Sequence, residues 1–212
     1  MTFKPLDLTG FNPWPQDLQG WQSNCPIFEE LIDKVQPKTI VEIGSWKGGS
    51  AINMAKLCKA RGLDTKIYCI DTWLGASEFW TNPTPERNLH LHYGYPQIYY
   101  QFLSNVVHND VVDCIIPVPL PSSIGIHLVP NADLIYVDGD HSYAGALQDI
   151  TNAYEKLIKE PGKVIFGDDY CNDIFEVKRA VDEFSQGFHV PRVHFRGRHE
   201  GSTEKWFWFI AG

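Results

Sequence analysis

No run or stripe of Lys and Arg interrupts the chain. Its 26 acids outnumber 18 basic residues and leave a formal charge of -8, so a phosphate backbone would be repelled and nucleic acid is not expected as a partner. No apolar stretch approaches the ~20 residues of a membrane-crossing helix. The opening MTFKPLDLTG has neither the basic nor the apolar region of a secretory signal. These absences predict a cytoplasmic protein without membrane contact. The five cysteines, Cys25, Cys58, Cys69, Cys114 and Cys171, are odd in number and nowhere spaced C-x-x-C, which argues against a zinc knuckle and a disulfide framework alike. Internal repeats and low-complexity tracts are missing too, so residues 1 to 212 are expected to form a single domain, with 43% hydrophobic content ample for one core.

What the chain has instead is alternation. Apolar runs of strand length recur at residues 39 to 43 (TIVEI), 66 to 70 (KIYCI), 112 to 116 (VDCII), 133 to 137 (DLIYV) and 163 to 167 (KVIFG), with helix-period segments between most of them. That pattern predicts an α/β fold, a mostly parallel sheet covered by helices. Pro26 opens one helix, with Ile27, Phe28, Leu31, Ile32 and Val35 on one face. A second starts near Gly49 and is closed by Gly62. A third lies around Gln97 to Val107. A fourth runs from the N-cap Ser142 to Pro161-Gly162, and a fifth from Asp173 to Gly187. The last two strand-like runs, residues 190 to 195 and 205 to 210, are joined by a connection too short for a crossover helix and predict an antiparallel hairpin. Two segments break the alternation: residues 1 to 24, a lid or cap rich in Pro, Gly and aromatics, and residues 74 to 96, a long polar-aromatic insertion. Loops of that length usually bind or cover something.

The first strand runs into Glu42-Ile43-Gly44-Ser45-Trp46-Lys47-Gly48-Gly49-Ser50 and then a helix. A strand, glycine turn and helix N-terminus let a nucleotide-like ligand approach backbone N–H groups. The turn is neither G-x-G-x-x-G nor G-K-[ST], so the dinucleotide and phosphate-loop fingerprints are unmet. Glu42, two positions before Gly44, would repel a pyrophosphate and attract a cationic sulfonium or ammonium. Asp71, ending the second strand, can accept from ribose hydroxyls. Together these acids describe S-adenosylmethionine better than NAD or ATP.

Two further strands break off into carboxylates, Val137-Asp138-Gly139-Asp140-His141 and Gly167-Asp168-Asp169-Tyr170. In an open parallel sheet the ligand crevice lies beyond the carboxyl ends of the strands. Asp138, Asp168 and Asp169 are therefore expected to converge, and three such acids would not all stay ionised without a cation. Oxygen ligands without a thiolate point to Mg2+, with Mn2+ or Ca2+ as alternatives. A plainer reading makes Asp168 and Asp169 the cap of a following helix. His90 and His92, alternate in a long loop, are read as solvated or substrate-facing.

The motifs E-I-G-S-W-K-G-G-S, I-D-T-W-L-G, V-D-G-D-H-S-Y and G-D-D-Y, in this order over roughly residues 20 to 172, resemble a class I S-adenosylmethionine-dependent methyltransferase. The similarity is greatest to the small metal-dependent O-methyltransferases, including bacterial sugar O-methyltransferases of natural-product pathways. The resemblance implies a Rossmann-like, doubly wound sheet of seven strands ending in the antiparallel hairpin. It assigns cofactor binding to Glu42, Gly44, Ser45 and Asp71, then to Trp46, Gly48, Ser50 and Trp73, to Ser122 and Ser123 beside Pro121, and to Asp138. It assigns the metal to Asp138, Asp168 and Asp169. His141 stands where the catechol and caffeoyl-CoA enzymes carry a lysine base. Its ordinary pKa of ~6.5 suits that work, and a helix N-terminus would lower it further; Asp140 is the rival base. The expected substrate is a small hydroxylated molecule. A metal-linked hydroxylase on the same fold and a non-catalytic cofactor-binding module are the competing functions. Oligomeric state is not legible, and a homodimer stays open.

Overall fold

A computed structural model of the chain describes residues 3–171, 176–187, 194–196 and 204–209. In chain order the elements are α1 (Ile27–Val35), β1 (Thr39–Ile43), α2 (Gly49–Ala60), β2 (Lys66–Asp71), α3 (Ser77–Thr81), α4 (Ile98–His108), β3 (Ile115–Pro119), α5 (Ser122–Leu128), β4 (Leu134–Val137), α6 (Tyr143–Lys156), β5 (Val164–Tyr170), α7 (Val177–Gly187), β6 (His194–Arg196) and β7 (Glu204–Phe209). The strands are continuous apolar runs because both faces of the sheet are covered. Ile40, Leu134, Tyr136, Val164 and Phe166 face a core shared with α1, α2 and α4. Val41, Ile43, Ile135, Val137 and Ile165 face one shared with α5, α6 and α7. All five residues predicted for the apolar face of α1 are buried.

The sheet order is β3-β2-β1-β4-β5-β7-β6. The first five strands are parallel; β7 pairs antiparallel with β5, and the three-residue β6 with β7. The chain moves outward from β1 to β3, then returns to place β4 on the other side of β1. That reversal opens a crevice beyond the ends of β1 and β4.

Two expectations shift. The third strand starts at Ile115 rather than at residue 112, and it runs through Pro117 to Pro119. Prolines normally mark the end of a strand, but β3 is the sheet edge, where a missing N–H costs no ladder bond. The insertion is not structureless, since it contains the one-turn helix α3. Asp173, expected to open α7, lies outside the described residues. The five cysteines are free thiols. Among the described residues no helix is long and apolar enough to cross a membrane.

Candidate functional site at the ends of β1, β4 and β5

Beyond β1 the chain turns sharply under its neighbours. Gly44 has φ 81°, and a Cβ there would stand 2.0 Å from the carbonyl oxygen of Asp138. Only glycine allows this crossing of the two strand ends. Glu42, fully buried, accepts the hydroxyls of Ser45 at 2.6 Å and Ser50 at 2.5 Å. Burial pushes its pKa up to about 7, with the charge of Asp71 adding to the rise and the two hydroxyls opposing it. Asp71 accepts the N–H groups of Ser45 at 2.8 Å, Trp46 at 2.9 Å and Trp73 at 2.6 Å. It therefore braces the glycine turn, and little of its acceptor capacity is left for ribose hydroxyls. Gly48 precedes the first turn of α2.

The two tryptophans expected at the cofactor part company. Trp46 is half-buried with φ 47°, packs against Trp21 and Phe79, and donates its indole N–H to Gln19. Trp73 is a correction: its ring is 2% exposed, lies against Tyr99 and Phe102 in the core, and donates to the Trp46 carbonyl at 2.8 Å. It holds the turn from beneath and presents no face to a ligand. The N-terminal segment straps the turn from outside. Trp14 N–H donates to Ser104, Asp17 N–H to Asn105, and Asn105 back to the carbonyls of Asp17 and Lys47. Lys47, 2% exposed, meets the Asp17 carboxylate at 2.7 Å.

The acids beyond β4 and β5 are sorted by a bulge. In a regular strand Asp168 and Asp169 would simply face opposite sides; here the register slips between Gly167 and Tyr170, and Asp169 takes the left-handed value φ 61°. Bulges re-aim side chains in this way. Asp169 reaches His141, Oδ2 to Nε2 3.1 Å, and Asp138, His141 and Asp169 bring one donor atom each within 4.8 Å of one another. Asp168 does not join them. It is 4% exposed and paired with the fully buried Lys205, whose ammonium also donates to the Tyr136 hydroxyl at 2.8 Å. Tyr136 in turn donates to Asp138 at 3.0 Å. Of the three aspartates expected to converge, Asp168 is thus held apart by an internal ammonium. Asp138 is pushed up first by burial and then by the charge of Asp168.

His141 lies just before the Ser142 cap of α6. Its Nδ1 stands 3.1 Å from Glu78 of α3, so carboxylates engage both ring nitrogens. Burial disfavours the imidazolium, but the Asp169 hydrogen bond and the charges of Asp169, Asp138 and Glu78 outweigh it and push the pKa up to about 9. Asp140 is exposed and accepts the Ser142 N–H at 2.7 Å. Ser142 caps α6 as predicted. Ser122 donates to Asp149, a buried acid on α6 that also takes the Asp140 N–H. Ser123 is exposed on α5. His90 and His92 join no group of metal-capable side chains among the described residues.

Sequence reasoning missed Lys205, Glu78, Tyr136 and Asp149. Lys205 did leave a signal. In the run K-W-F-W-F-I it shares its face with Phe207, which packs on the α1 side of the sheet, so period-two alternation alone buries it. Glu78 left none, because only tertiary contact brings the insertion to His141.

A family model described as "Methyltransferase domain" matches residues 41–170. Solved structures share the fold at low identity. The O-methyltransferase NovP is 19% identical with a TM-score of 0.66, covering 90% of this chain and 80% of NovP. The O-methyltransferase TomG from Streptomyces achromogenes, in complex with S-adenosylmethionine, is 16% identical with a TM-score of 0.60 and the same coverages, 90% and 80%. An O-methyltransferase from Bacillus cereus in complex with S-adenosylhomocysteine is 17% identical with a TM-score of 0.58, covering 95% and 86%. No curated protein matches the chain significantly.

Proposed function

The chain belongs to the methyltransferase-domain family, and from that membership we propose that it transfers the methyl group of S-adenosylmethionine to a hydroxyl oxygen of a small molecule. The observation that carries this reading is the contact of Gly44 with the Asp138 backbone, which sets the turn suited to the cofactor directly against the acidic site. The methylated-oxygen chemistry in the names of NovP, TomG and the Bacillus cereus enzyme supports it.

Glu42 anchors Ser45 and Ser50 from beneath the turn, and Asp71 fixes the turn that would receive the cofactor. Two carboxylates and an imidazole with donors within 4.8 Å suit a divalent cation. Asp138, His141 and Asp169 would hold it, and when bound it would lower the pKa of a substrate hydroxyl as a Lewis acid. Because both nitrogens of His141 are engaged, Asp140 is the better candidate to accept the hydroxyl proton: its carboxylate is exposed, with Oδ1 fixed by Ser142. The insertion and the N-terminal segment, which bring Phe79, Trp21 and Trp46 together, are placed to shape the acceptor pocket.

The test is incubation with S-adenosylmethionine and a panel of sugars and phenols, read by mass spectrometry. A methylated product with stoichiometric S-adenosylhomocysteine is expected. An oxygenated product would favour the hydroxylase, and tight cofactor binding without turnover across the panel would favour the non-catalytic module.

A further inference from the structure

Resting on the metal-dependent reading above, we infer that the ion is held by Asp138, His141 and Asp169 while Lys205 keeps Asp168 out of the ligand set. An imidazole nitrogen then replaces a third carboxylate, and the site favours Mn2+ or a later first-row ion over Mg2+ and Ca2+.

Three features lead there independently. The β5 bulge divides the two neighbouring acids, turning Asp169 toward His141 and Asp138 and leaving Asp168 against Lys205. Lys205 is fully buried, with the rings of Phe28 and Tyr136 at 5.6 and 5.2 Å from its ammonium. Recruiting Asp168 to an ion would strip that ammonium of its acid in a site water does not reach, a strongly unfavourable exchange. Finally, Glu78 stands 3.1 Å from Nδ1 of His141. A histidine that donates one ring N–H to a carboxylate has its tautomer and orientation fixed, with the other nitrogen turned to the ion. Here that nitrogen is Nε2, on the Asp169 side.

The donor set decides the ion. Mg2+ and Ca2+ are hard cations that take oxygen ligands, and Mg2+ sheds water reluctantly. Imidazole suits the first-row transition ions, whose affinity for a mixed nitrogen and oxygen site rises from Mn2+ toward Cu2+.

The experiment uses the full chain, freed of metal by chelator, with binding of Mn2+ and of Mg2+ each measured by calorimetry. Mn2+ should bind at least about tenfold tighter than Mg2+, within the ligand-order trend. His141→Ala should weaken Mn2+ by more than about tenfold, and Asp168→Asn by much less. Pulsed electron paramagnetic resonance of Mn2+ on the unaltered protein should show a directly coordinated nitrogen, a readout that needs no variant to fold. Bound Mn2+ without nitrogen coupling, equal affinity for Mg2+, or failure of Mn2+ to bind overturns the inference. Nitrogen-coordinated Mn2+ in a protein that methylates nothing would leave the site standing and remove the catalytic reading instead.

Discussion

Gly44 crosses under Asp138 so closely that a methyl group on its α-carbon would stand 2.0 Å from the Asp138 carbonyl oxygen. The obstacle is backbone, and the φ of 81° is itself unfavourable for alanine. Gly44→Ala is expected to cost about 2 to 4 kcal/mol, the sum of left-handed strain and overpacking. Urea unfolding checks the cost, and calorimetry should show cofactor affinity lost along with it. A variant with an unchanged midpoint would mean that the two strand ends do not touch.

Glu42 governs a pH dependence. Its folded pKa is raised from 4.5 to about 7, so in the ligand-free protein the stability it contributes is present below pH 4.5 and lost as pH rises through about 7. Glu42→Gln cannot ionise, so its stability relative to wild type should rise across that window by at most about 3 kcal/mol. Urea midpoints at several pH values measure this, and parallel curves for the two proteins would refute it.

Glu78→Ala removes the carboxylate that accepts from Nδ1 of His141 and fixes its ring. Loss of such an outer partner typically costs ten- to a hundredfold in metal affinity, and that is the change expected for Mn2+. Affinity for S-adenosylhomocysteine should stay the same, because the hydrogen bonds of Glu78 run to Ser77 and His141 and not to the glycine turn. Unaltered Mn2+ binding would show that the insertion does not orient the site.

Asp17→Asn should destabilise the strap on the glycine turn. Lys47 is 2% exposed, whereas its partner is 37% exposed, so solvent screens part of the interaction and about 1 to 3 kcal/mol is expected, short of a fully buried pair. Thermal unfolding gives the magnitude, and the double variant with Lys47→Met should recover part of it.

Much of the architecture could be read from the sequence because burial imposes period on it. The β1 run was bounded correctly at residues 39 to 43, and Pro26 and Ser142 marked their helix starts, since each signal is local. That β3 continues through Pro117 could not be read, because edge position is a property of the assembled sheet. The acids after β4 and β5 were visible as a group, but their division was not. Nothing in the pair Asp168-Asp169 says that one will meet an ammonium and the other an imidazole. That depends on the bulge and on Lys205, which arrives from 37 residues further on. The surroundings of His141 were hidden for a related reason: its position before α6 can be seen in the sequence, and the contacts of its ring with Glu78 and Asp169 cannot.

The Lys205 contact also ties the neutrality of the sheet interior to its last strand. The five parallel strands and their helices can collapse around an apolar sheet before β7 exists, but in that state Asp168 and the Tyr136 hydroxyl lie inside it with no ammonium between them. Docking of β7 supplies the ammonium, 69 residues after Tyr136. The strand that completes the sheet is therefore also the one that brings the neutralising ammonium to Asp168.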